Sequence, residues 1–160
     1  MLWFKFLVAG LLLSIAYEDF KNRMVRLVFY LLLVASLIIL RFDNISLIGL
    51  LIDFGMNLAY LSLLLFMSLT VLYLRYKKIT NPLLYIGVGD ILLLLIFCIW
   101  FDTINFVVFN TVSLIVALIA HSLLKQFEFY NKHKTIPLAG IQSLCFLSLL
   151  IIRNIDAQPF

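Results

Sequence analysis

Residues 83–124 read LLYIGVGDILLLLIFCIWFDTINFVVFNTVSLIVALIAHSLL, and the only formal charges in them are Asp90 and Asp102. A hydrocarbon core takes roughly 20 residues of helix to cross. The stretch divides at Phe101-Asp102 into two runs of that size, 83–101 and 103–124. The pattern continues in both directions, with apolar runs at 2–17, 26–41 and 54–75 before it and at 136–153 after it. This predicts an all-α membrane protein, a bundle of about six transmembrane helices. The segment ISLIGLLI at 45–52 is too short to cross; it lies at the interface or extends the third helix.

Composition agrees. Of 160 residues, 65% are hydrophobic and 12% charged, well above the roughly 45–50% apolar content of soluble chains. No internal repeat, low-complexity tract or linker divides residues 1–160, so a single integral-membrane domain is expected. The first run, Lys5 followed by FLVAGLLLSIA and ending in Ser14-Ile15-Ala16, has the outline of a secretory signal. Its positive start is one lysine, and the acidic pair Glu18-Asp19 follows at once, so a retained first helix is expected.

A net charge of +4 raises the question of nucleic acid, but the basic residues sit in short clusters between apolar runs instead of along one face. No nucleic-acid partner is expected, and the clusters report topology. Lys21, Arg23, Arg26, Arg75, Lys77, Lys78, Lys125, Lys132 and Lys134 fall in odd-numbered connections; Lys5, Arg41 and Arg153 fall on the other side. Positive residues are retained on the cytoplasmic side. The odd connections therefore face the cytoplasm and both termini face outside. Cys98 and Cys145 lie inside apolar runs without Cys-x-x-Cys spacing, which predicts inert thiols and neither a disulfide framework nor a metal site.

This topology has a chemical consequence. Asp19 falls at the cytoplasmic end of the first span and Asp90 at the cytoplasmic start of the fourth, two acids at one depth on one side. Asp90 closes the motif Gly87-Val88-Gly89-Asp90, which follows Asn81-Pro82. The glycines permit close approach of backbone or substrate and unusual dihedrals before a helix. Each acid also has a plain reading. Asp90 is a favoured residue for capping the fourth helix, and Asp19 can belong to a solvated loop with Glu18, Lys21, Arg23 and Arg26. The pairing shifts the weight, because ionisable groups at membrane depth are costly and mark function. Two neighbouring aspartates share one proton, and so supply a base and an acid for peptide hydrolysis.

Three segments in order, Asp19-Phe20-Lys21-Asn22-Arg23, Gly87-Val88-Gly89-Asp90 and Ile136-Pro137-Leu138-Ala139-Gly140, together resemble the type IV prepilin peptidases and archaeal preflagellin peptidases, the GxGD membrane aspartyl proteases. The resemblance implies Asp19 and Asp90 as the catalytic pair, Gly87 and Gly89 as active-site motif, and Arg23 and Pro137 in substrate or structural roles. It also implies removal of a short basic leader from single-span, pilin-like precursors at the cytoplasmic face of a prokaryotic inner membrane, with no metal or cofactor. The family's Arg-x-Ile-Pro-Asn string is replaced here by Arg23-Met24-Val25-Arg26-Leu27, and its lysine two positions after the second aspartate by Leu92. The cysteine-bearing methylation segment of the larger bacterial enzymes has no room here, so no methyltransferase activity is expected.

Asn110, Ser113, Ala117 and His121 share one helical face, which is expected to pack inward, with His121 near enough to the cytoplasmic end to tune the pair. Asp43, Asp53, Asn57 and Asp102 fall at the outer edge, where interfacial positions need no special chemistry. Two other functions fit the same residues: a non-catalytic scaffold that binds pilin-like helices, and a small proton-coupled carrier. The absence of inverted-repeat symmetry argues against the carrier.

Overall fold

The apolar runs form helices, and the third begins before its predicted start at residue 54. In the computed structural model, which describes residues 2–42, 46–76, 87–124 and 137–156, these are α1 (Leu2–Asn22), α2 (Leu27–Phe42), α3 (Leu47–Tyr76), α4 (Val88–Trp100), α5 (Thr103–Leu124) and α6 (Leu138–Asp156). No strand occurs among the described residues. Asp43, Lys77, Lys78, Asn81, Pro82, the 125–135 connection with Lys125, Lys132 and Lys134, and Ile136 lie outside the described residues.

Residues 47–52 of the segment 45–52 extend the third helix, and residue 45 lies outside the described residues. Ser46 is the reason: its Oγ accepts the Gly49 amide at 3.2 Å and its carbonyl the Leu50 amide at 3.1 Å, which closes the first turn. α3 and α5 contain stretches, Leu47–Arg75 and Thr103–Leu124, that are long and apolar enough to cross a membrane. Leu27–Arg41, Val88–Trp100 and Leu138–Ile152 are shorter apolar helices.

α4 is the interior helix. It packs against α2, α3 and α6, while α1 lies on α2 and α6, and α5 on α3 and α6. Phe97 of α4 meets Phe109 at 5.1 Å and Phe146 at 4.9 Å between ring centroids, and Phe101 stacks on Phe109 at 4.8 Å. Edge and offset contacts of this kind add to the burial itself. Cys98 is buried in this core and Cys145 half-buried, both as free thiols.

Because α4 is short and ends inside the bundle, its last carbonyls need donors from elsewhere. Asn57 of α3 is fully buried and donates through Nδ2 to the carbonyls of Cys98 at 3.0 Å and Phe101 at 2.8 Å. Arg41 of α2, also buried, donates to the Ile99 carbonyl and to Asp53 Oδ2, the latter at 2.8 Å. Sequence reading treats Asp53 and Asn57 as interfacial positions without special chemistry; the structure gives them a locking role at this end of α4. Asp102 is exposed in the connection between α4 and α5 and accepts from Asn105 Nδ2 at 2.6 Å.

Candidate active site

Asp19 reaches the interior because it continues the buried stripe of α1. Val8, Leu12 and Ile15 are buried on that face, and Asp19 follows one turn later. Glu18, its neighbour, turns the other way: Oε1 pairs with Arg26 Nε at 3.2 Å and Oε2 accepts the Arg26 amide at 2.9 Å. The solvated-loop reading therefore fits Arg26, whose side chain is exposed, but neither Glu18, which lies within α1 and is mostly covered, nor Asp19, which is 7% exposed.

Asp90 arrives from the opposite side, in the first turn of α4. It is not the cap of its own helix. Gly87 occupies that position in extended conformation (φ −60°, ψ 129°), without a side-chain cap, and its carbonyl accepts the amides of Asp90 and Ile91 at 3.1 and 3.2 Å.

Both carboxylates converge on the start of α6. Asp90 Oδ1 accepts the Ala139 amide at 2.8 Å, and Asp19 Oδ2 accepts the Gly140 amide at 2.6 Å. Successive amides thus hold the two acids side by side, in a place where the helix dipole and the free N–H groups favour negative charge. Pro137 sets this geometry: it is buried, and its carbonyl accepts the Ile141 amide at 3.1 Å, so the helix begins immediately after it. The other oxygens, Asp19 Oδ1 and Asp90 Oδ2, accept no hydrogen bond among the described residues.

The three glycines around the pair supply room, not unusual dihedrals; no described glycine has positive φ. A Cβ on Gly87 would lie 2.7 Å from Asp90 Oδ2, one on Gly89 would lie 2.9 Å from the Tyr30 hydroxyl, and one on Gly140 would lie 3.1 Å from Asp19 Oδ2. Among the described residues, the one with positive φ is Arg23 (φ 54°), which ends α1 in the left-handed conformation with its amide on the Asp19 carbonyl at 3.1 Å. Its guanidinium charge acts on both Asp19 and Asp90.

His121 is half-buried in the last turn of α5. The face it shares does pack inward, with Asn110, Ser113 and Ala117 all buried. Leu92, at the position of the family's lysine, packs against the apolar core. Sequence reasoning missed Tyr30 as a neighbour of the site. Its signal was the stripe Tyr30, Leu33, Leu37 on the buried face of α2, which places a phenol close to the helix start.

Two carboxylates held side by side resist double ionisation, and the charge of Asp19 does act on Asp90. With one proton between them, such a pair can both accept and donate a proton across a small gap. In comparisons with family models, curated proteins and solved structures, none matches this chain.

Proposed function

We propose that this chain is an intramembrane aspartyl endopeptidase of the prepilin peptidase kind, with Asp19 and Asp90 as its acid/base pair. One observation carries the reading: three segments distant in sequence meet where neighbouring amides of α6 hold the two carboxylates. The apolar side chains left exposed on α3 and α5, such as Phe66, Leu74, Leu118 and Ile119, support a lipid-embedded bundle. The basic clusters support a cytoplasmic position for the pair.

In this mechanism the ionised carboxylate takes a proton from a water whose oxygen bonds to the scissile carbonyl carbon. The protonated carboxylate gives its proton to the carbonyl oxygen, forming a gem-diol. Collapse breaks the C–N bond; the proton taken from water passes to the leaving nitrogen, and a gem-diol hydroxyl returns a proton to the other carboxylate. The pair ends with the one proton it began with. The substrate is a single-span precursor with a short basic leader, unwound at the cut because a hydrogen-bonded helical carbonyl is a poor target, and a water-lined cavity is what lets such open backbone exist in a membrane.

A non-catalytic scaffold is the second reading, and the same two hydrogen bonds favour it, since they stabilise the start of α6 whatever the chemistry. Asparagine separates the two, because its carbonyl oxygen can keep the amide hydrogen bond while the acid/base function is lost. Co-expression with a pilin-like precursor should show leader removal by wild type and none by Asp19→Asn or Asp90→Asn, with all three chains equally stable. Equal cutting by the variants would eliminate the pair as catalyst, and a wild type that binds precursors without cutting them would favour the scaffold.

A further inference from the structure

Tyr30 is 3% exposed, and its hydroxyl has no hydrogen-bond partner among the described residues. A buried hydroxyl left unpaired is destabilising, and phenylalanine would fill the same space without that penalty. The hydroxyl stands at a particular place. It stands beside Gly89, where a Cβ would come within 2.9 Å of it, one residue before Asp90. The charges of Asp19 and Asp90 both act on it. The second glycine of the Gly87-Val88-Gly89-Asp90 motif therefore has a specific use: it admits a phenol from α2 to the side of the carboxylate pair.

We infer that Tyr30 is a third catalytic group, whose O–H donates a hydrogen bond to the oxygen of the scissile carbonyl as it becomes a gem-diol oxygen. The inference rests on the peptidase reading. Among the described residues the hydroxyl lacks a partner because that partner is the substrate. A preorganised donor aimed at an oxygen that gains charge stabilises the transition state more than the bound substrate. The proton stays on the phenol throughout, so the exchange between the two aspartates is unchanged.

The test uses the full chain in proteoliposomes with a cleavable precursor and compares wild type with Tyr30→Phe. The expected result is a kcat lower by about 10²-fold, the typical effect of losing one such donor, with KM unchanged. The thermal midpoint should be equal or higher, because an unpaired polar group has been removed. A second measurement uses a leader peptide whose scissile amide is replaced by a difluoroketone, which hydrates to a gem-diol. Tyr30→Phe should bind it about 10²-fold more weakly and bind the parent peptide as wild type does.

Wild-type kcat and analogue affinity in Tyr30→Phe, alongside inactive Asp19→Asn and Asp90→Asn, would overturn the assignment and leave the peptidase reading standing. A wild type that neither cuts precursors nor binds the analogue would overturn both. If Tyr30→Phe does not accumulate as a folded chain, the hydroxyl is structural and the assignment fails.

Discussion

Asp19 Oδ2 accepts the backbone amide of Gly140 at 2.6 Å, a contact that joins residues 121 positions apart. The contact depends on what Gly140 lacks. A Cβ there would stand 3.1 Å from the same oxygen and 3.1 Å from two carbons of the Phe20 ring. The close approach of α1 and α6 therefore positions one carboxylate and closes that end of the bundle.

Gly140→Ala should separate these helices by a few tenths of an ångström and displace Asp19. Overpacking of this kind costs about 1–3 kcal/mol, and misplacing a catalytic group lowers the rate, here by about tenfold or more. Thermal unfolding in detergent and leader cleavage check the two effects. An alanine variant with wild-type cleavage would show that the approach is not tuned.

Cleavage should follow a bell-shaped pH profile that belongs to the pair and not to either residue. On the acid side both carboxyls are protonated and no base remains; on the alkaline side both are ionised and no acid remains. Arg23 offsets negative charge on both aspartates. Without it the second ionisation is harder, so Arg23→Gly should move the profile to higher pH. The same change relieves a left-handed backbone at φ 54°, worth about 1 kcal/mol. A more stable variant with a displaced profile is the expected pairing, and an unmoved profile would place Arg23 outside the electrostatics of the site.

Asn57→Leu should lower stability by roughly 2–4 kcal/mol, because the Cys98 and Phe101 carbonyls lose their donor. Cys98 lies about 12 Å along α4 from Asp90. Leader cleavage well below the thermal midpoint should therefore match wild type. A large loss of activity at low temperature would mean that the two ends of α4 are coupled.

The exposed apolar side chains of α3 and α5, Phe66, Met67, Leu74, Ile115, Leu118 and Ile119 among them, should keep the chain in the membrane fraction through an alkaline carbonate wash. Detergent should release it. Recovery as a soluble monomer without detergent would contradict the lipid-embedded reading.

Much of this fold is legible along the chain because apolar run length sets helix length. The predicted runs 26–41 and 103–124 lie close to α2 and α5, whereas α3 begins at Leu47 because Ser46 closes its first turn. The likeness of the two acids was also legible, since parity of the spans puts Asp19 and Asp90 at the same end. The roles of Asn57 and Arg41 were not: a polar residue near a span boundary looks the same whether it faces headgroups or feeds a neighbouring helix. Only the neighbour's unpaired carbonyls distinguish the cases.

Periodicity and composition, which act within one segment, thus determined the helices, their order and the end at which the acids fall. Tertiary structure decided that Ala139 and Gly140 hold those acids, that the glycines clear space instead of bending the backbone, and that Tyr30 stands beside the pair. Those facts depend on the rotation and approach of helices distant in sequence, which side-chain packing sets and no single segment encodes.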